Sequence, residues 1–157
     1  MAVSSQDIKS SYPLPVYNFR VEIGSVAVAF SEVSGLDIQY EVVTFKESQL
    51  SSGIPGPKVI HMPSQATATN VVFKKGLVPA TSLASLYDWI KGVSINQVEK
   101  KDISVILCDE KGDPVVSWKI INAFPTKLSG PVFDSSSTNV AVETMELRAD
   151  GVTIEAV

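Results

Sequence analysis

The sequence contains one cysteine, one histidine and few charges. With Cys108 alone, no intrachain disulfide framework is possible. No histidine or basic cluster lies beside it in sequence to activate the thiol, so it reads as buried and inert. With His61 alone, a histidine-centred triad or a multi-histidine metal site is excluded within one chain. Charged residues make up 19% of the 157 positions and hydrophobic residues 45%, against about 25% charged in ordinary domains. Ordinary apolar content with scarce charge points to extensive burial, including burial between subunits. The 13 basic and 17 acidic residues leave a net charge of −4, which argues against sequence-specific or phosphate-driven nucleic-acid binding. No apolar run approaches the roughly 18 residues of a membrane span. The start lacks the basic and apolar regions of a secretory signal. Synthesis and assembly in the cytoplasm without a membrane anchor are therefore expected.

What the chain does contain is β-patterned. Around the turn at 109–114, the β-branched runs 103–107 and 115–121 predict a hairpin within 102–131. Both legs are nearly continuously apolar, so both faces are expected to meet protein, and Pro125 and Pro131 are expected to stop its ladder. Upstream, Tyr17, Phe19, Val21 and Ile23 alternate with Asn18, Arg20 and Glu22, which predicts a half-buried strand. Gly24 and Ser25 turn it into 26–30. Alternation returns with Leu36, Ile38, Tyr40 and Val42 opposite Asp37, Gln39 and Glu41, and the three strands read as a meander. Residues 44–69 scatter Gly and Pro through a long inter-strand loop, a length that is uncommon unless functional or disordered. One short helix is expected at about 81–91, with Leu83, Leu86, Tyr87 and Ile90 as its apolar stripe. Trp89 lies off that stripe, Thr81 or Ser82 is the N-cap, and Gly92 suits a left-handed C-terminal position. A loop at 134–139 precedes a strand with Met145, Leu147 and Ala149 on one side and Thr144, Glu146 and Arg148 on the other. Residues 152–154 follow the Asp150-Gly151 turn. Seven or eight strands and one helix predict a mainly β chain, a sandwich or barrel of two packed antiparallel sheets. It reads as a single domain, 1–157, with a polar, mobile leader over 1–11.

Chemistry is sparse. The 53–58 stretch has the glycines of a phosphate loop but lacks its Gly-Lys-Ser/Thr ending, and its prolines remove amide donors. Glu143 and Glu146 fall on opposite faces of a strand and cannot pair as glycosidase carboxylates do. His61 reads as a solvated loop residue. No catalytic, cofactor-binding or metal-binding set is present, and no enzymatic activity or cofactor is expected.

Several ordered segments resemble inner-tube proteins of extracellular contractile injection systems, the phage-tail-like particles that deliver toxins. They are 12–19 (YPLPVYNF), 33–36 with 40–42, 73–77, and 96–133 with its NAFPT and PVF runs. The terminal 139–143 and 150–154 also fit. Tail tube proteins of contractile-tailed phages are similar at greater distance. The resemblance implies a structural β-sandwich or barrel flanked by a helix, forming hexameric rings that stack into a hollow tube. Implied partners are further copies of the chain, a contractile sheath, a baseplate with its spike, a tube cap or terminator, and protein cargo in the lumen. The particle would be released from the cell. Leu50, Ile54, Val59, Ile60 and Met62 in the long loop are the expected inter-ring contacts, because exposed together they would be sticky. The polar alternates Arg20, Glu22, Asp37, Gln39, Glu41, Glu146 and Arg148, with Asn18 and Thr144, are candidates for the lumen wall. The alternatives are a DNA-conducting phage tail tube, a type VI secretion tube and, from another class, a monomeric ligand-binding β-barrel.

Overall fold

A computed structural model describes residues 2–50, 53, 55–95 and 97–157. The elements are helix α1 (Ser5–Ser11), strands β1 (Phe19–Ile23), β2 (Val26–Val28), β3 (Glu32–Ser34), β4 (Tyr40–Glu47), β5 (Lys58–Ala66) and β6 (Thr69–Gly76). Helix α2 (Pro79–Ser82) continues through a π-helical turn (Leu83–Tyr87) into α3 (Asp88–Lys91), and β7 (Lys101–Cys108), β8 (Pro114–Ser129), β9 (Val142–Ala149) and β10 (Gly151–Ala156) complete the chain.

All strands but β4 and β5 form one antiparallel system ordered β2-β1-β7-β8-β9-β6-β3, with β10 also on β8. It is an open arrangement, not a closed barrel. The long strand β8 makes two sheets of it: residues 116–121 pair with both β7 and β10, and residues 124–129 pair with β9. The corner between them is Asn122, the one non-glycine at positive φ (51°) among the described residues. Asparagine tolerates that region better than other side chains. Its backbone N–H donates to Asp102 Oδ1 at 3.0 Å and its Nδ2 to Asp150 Oδ2 at 2.9 Å, so carboxylates from β7 and the β9–β10 turn hold the bend.

The sheets face each other across one apolar core. Val21, Ile23, Ile103, Val105, Ile120 and Val152 come from the first sheet; Val71, Phe73, Met145, Leu147 and Ala149 come from the second; Leu86 and Trp89 come from the helix. The alternation predicted for β1 and β9 holds, and Cys108 is buried.

Several expectations are corrected. The meander ends after β2, because β3 crosses to pair with β6 in the second sheet and 36–39 form no strand. The ladder of β8 runs on past Pro125, which is buried at a register shift between Pro125 and Lys127 where no ladder donor is required. Within the chain neither face of the β7–β8 hairpin is fully covered. The inward face is buried at Ile103, Val105 and Ile120 but only half-buried at Leu107, Val116 and Trp118. On the outward face Ser104, Ile106 and Ser117 are half-buried and Lys119 is exposed. Among the described residues, most of 44–69 is strand, β4 to Glu47 and β5 over Lys58–Ala66, with a two-residue break at 67–68 before β6.

The helix starts two residues early at Pro79. Ser82 is no cap; it is buried, and its Oγ accepts the Val78 N–H at 3.1 Å. The π-helical turn rotates the buried face onto Leu86 and Trp89, leaving Leu83 56% exposed. Trp89 Nε1 donates to the Glu99 carbonyl at 2.8 Å, which lets the indole be buried. Gly92 is right-handed, not left-handed. The 1–11 leader contains helix α1, started by a capping box between Ser4 and Asp7 and tied to the body by Lys9 Nζ–Glu110 Oε1 at 2.8 Å.

Candidate assembly surfaces

β4 and β5 form a two-stranded sheet of their own, an arm joined to neither main sheet. Its register opposes Val43 with Met62, Phe45 with Ile60 and Glu47 with Lys58, so these six share one face. Val42 with Pro63, Thr44 with His61 and Lys46 with Val59 occupy the other. One face is thus an apolar ladder ending in an opposed charge pair. The other is mixed, three apolar residues with three polar ones, and has Thr44 Oγ1 3.2 Å from His61 Nδ1. Of the residues singled out in the long loop, Ile60 and Met62 come together, Val59 lies on the opposite face, and Leu50 sits beyond the end of β4, 97% exposed. Ile54 lies outside the described residues. Sequence reasoning missed Val43 and Phe45, which complete the ladder. The signal was their spacing with Val59–Met62 under a hairpin reading, which the surrounding prolines and glycines masked.

The lumen candidates divide. Arg20 and Glu22 lie on the outward side of β1, paired across to Ile106 and Ser104. Glu146 and Arg148 lie on the outward side of β9, in the other sheet, opposite Val72 and Asn70. Because the inward faces of both sheets are committed to the core, these two sets look away from each other. Asp37, Gln39 and Arg148 line a polar cleft of about 270 Å³ with Thr67, Thr69 and Asn70. Glu41 belongs to the root of the arm.

Two further features stand out. At the turn end of the β7–β8 hairpin, Phe19, Leu107 and Trp118 continue the inward rows of Val21, Val105 and Ile120, but the core there is open. With Val16, Tyr17 and Leu36 they line a mainly apolar groove of about 580 Å³. The β8–β9 loop, 130–141, carries Val132 and Phe133 at 93% and 89% exposure. Asp134 braces that loop: its Oδ1 accepts the Ser136 N–H at 3.0 Å and the Ser136 hydroxyl at 2.7 Å. Those bonds, the hydroxyl first, hold the Asp134 carboxyl below its usual range. The bond from Lys9 likewise lowers Glu110 and raises Lys9, and the Asp113 N–H lowers Asp109.

The accessible surface is 10974 Å² for a 16.9 kDa chain. A compact monomer of that mass exposes about 7,700 Å², so about 3,300 Å² is in excess. Among the described residues no group of three or more His, Cys, Asp or Glu is placed to hold a metal. No helix there is long and apolar enough to cross a membrane.

The profile of the family described as T4-like virus tail tube protein gp19 matches residues 15–153. No curated protein matches. Among solved structures, a chain of the PVC sheath-tube complex of an extracellular contractile injection system, in the extended state, is 38% identical with a TM-score of 0.88, covering 99% of this chain and 100% of that one. A chain of the anti-feeding prophage cap, its tube terminating cap, is 39% identical with a TM-score of 0.84, both chains being covered in full. A chain of the PVC sheath/tube terminator in the extended state is 39% identical with a TM-score of 0.82, over 93% of this chain and 99% of that one.

Proposed function

Because this chain belongs to the T4-like virus tail tube protein family, we infer that six copies of it close into a ring and that the rings stack into a hollow tube. The chain is a structural protein of the inner tube of a contractile injection system. Its partners in this reading are other copies of itself, a sheath around the tube, a cap or terminator at one end and a baseplate with its spike at the other. The whole chain acts as one tail-tube domain and carries no catalytic activity. The particle is assembled in the cytoplasm and released, and sheath contraction drives the tube with its protein cargo through a target envelope.

The observation that carries this reading is the surplus surface. About 3,300 Å² beyond a compact monomer exceeds the about 1,000–2,500 Å² per partner that one obligate interface buries, enough for more than one contact. A monomeric ligand-binding barrel has no use for it. The arm pairs with neither main sheet, and an isolated two-stranded hairpin is marginal in water. Its apolar face, Val43, Phe45, Ile60 and Met62, packs on a copy in the adjacent ring. Glu146, Arg148, Asp37 and Gln39 gather on one side of the molecule and supply the lumen wall. Arg20 and Glu22, on the opposite sheet, do not.

Replacing residues 48–63 by a short Gly/Ser linker tests the arm. The variant should remain folded and β-rich by circular dichroism yet form no tubes by negative-stain microscopy. Normal tubes would reduce the arm to decoration. A bulky maleimide should label cysteine at position 20 but not at position 148 in intact tubes; the reverse pattern would move the lumen to the other sheet. The family name favours one rival, a phage tail conducting DNA. Capsid and terminase genes beside this gene would decide for it.

A further inference from the structure

A filament built from one chain needs two different head-to-tail contacts, one closing each ring and one running along the axis. In the reading above, on which this inference rests, the arm makes the axial contact. Among the apolar features then left without a role are the open groove beside Trp118 and the projecting pair Val132 and Phe133. We propose that they are the two halves of the ring contact, Val132 and Phe133 of one copy seating in the groove of its neighbour in the same ring.

The two features are complementary and unsatisfied in the same molecule. Phe133 at 89% and Val132 at 93% exposure touch almost nothing in their own chain, so they do not fill their own groove. The groove, about 580 Å³ and lined by Val16, Tyr17, Phe19, Leu36, Leu107 and Trp118, is roomy enough for both side chains. The pair is held out on a loop whose start is fixed by the Asp134–Ser136 bonds rather than on a free tail.

Seating it strands no charge. The acid at the groove, Glu32, is already paired with Lys74 at 3.0 Å, and Asp134 beside the knob is bonded to Ser136. An unpaired charge there would oppose docking. The area also requires a second contact. An aromatic side chain buries about 150–250 Å², so the four apolar side chains of the arm account for only part of the surplus of about 3,300 Å². Since knob and groove lie on different parts of one chain, each copy gives one and receives one, which is the arrangement that closes a ring.

Cysteine pairing in the full-length chain tests the contact. Cys108 is 1% exposed and stays silent. A chain carrying both Val16→Cys and Phe133→Cys, assembled and then mildly oxidised, should give a ladder of covalent multimers on a non-reducing gel. Val16→Cys and Phe133→Cys chains mixed in equal amounts should stop at dimers, and either alone should give none. Tyr17→Cys with Val132→Cys provides a second pair. Phe133→Ser, at a surface position, should fold normally and raise the concentration needed for assembly at least tenfold. Tubes that form from the double variant but yield no ladder with either pair, or Phe133→Ser chains that assemble like the unsubstituted chain, would overturn the proposal while leaving the tube reading intact. Failure of the unsubstituted chain to form rings or tubes at all would instead remove the reading beneath it.

Discussion

Asn122 concentrates much of what makes this fold possible. At φ 51° it turns β8 from one sheet into the other, and two aspartates hold it there. Asn122→Ala should cost about 1–2 kcal/mol through left-handed strain, plus the lost side-chain bond to Asp150, and Asn122→Gly should recover most of the strain. Urea midpoints in that order, with an unchanged slope, check it. Gly35 is stricter. At φ 85° a Cβ there would run into the Asn70 carbonyl oxygen, whereas one at Gly24 would meet nothing within 4 Å. Gly35→Ala should therefore destabilise well beyond Gly24→Ala, which carries backbone strain alone. Equal midpoints would show the β3–β6 approach to be loose. In the helix, Leu86→Ala should cost about 2–5 kcal/mol as a core truncation and Leu86→Asp should prevent folding, while Leu83→Asp should be tolerated. An unchanged melting temperature for Leu86→Asp would exclude Leu86 from the core.

At the scale of elements, α1 is held by an ion pair whose window follows from its two shifts. Glu110 is lowered by the bond from Lys9, so its contribution is present above the ordinary glutamate range and is lost as pH falls through the lowered value. Lys9 is raised, so its contribution is present below the ordinary lysine range and is lost as pH rises through the raised value. Protection factors in α1, exchange rates corrected for their intrinsic pH dependence, should be highest between roughly pH 5 and 10 and should fall at either end. A flat profile would show the contact to be incidental. The elements also show what could be read from sequence. β1 and β9 were legible because each has one buried face, which imposes alternation at Val21, Ile23, Met145 and Leu147. The β7–β8 hairpin was legible through its turn. The β4–β5 arm was not, because neither face meets this chain's core and its prolines sit where no ladder constraint punishes them. The helix was placed correctly, and of the expected stripe Leu86 is core and Ile90 half-buried, but Leu83 and Tyr87 are exposed because a π-helical turn shifts the period on which the stripe relies. The groove and the Val132–Phe133 knob left no periodic signal, because one is a gap between sheets and the other a loop.

For the whole molecule, scarce charge and exposed apolar side chains decide what kind of forces hold copies together. The charges at the two proposed contacts, an apolar ladder on the arm and an apolar knob in a groove, are already met within the chain: Glu47 is opposed by Lys58, Glu32 is paired with Lys74, and Asp134 is hydrogen-bonded to Ser136. Raising salt from about 0.1 to 1 M shortens the screening length from about 10 to 3 Å and weakens exposed ion pairs, but it leaves apolar burial in place. Assembly driven by those surfaces should therefore persist or strengthen at 1 M sodium chloride. Because hydrophobic association weakens on cooling, the dissociated fraction should rise toward 0 °C. Burial in the tube should also raise the melting temperature of the chain by mass action, since only the folded form assembles. Sedimentation across salt and temperature, with calorimetry on tubes and on the Phe133→Ser chain, measures all three. Tubes that fall apart in 1 M salt and are strongest in the cold would mean that charge pairing between copies, rather than the arm ladder and the groove, holds the assembly.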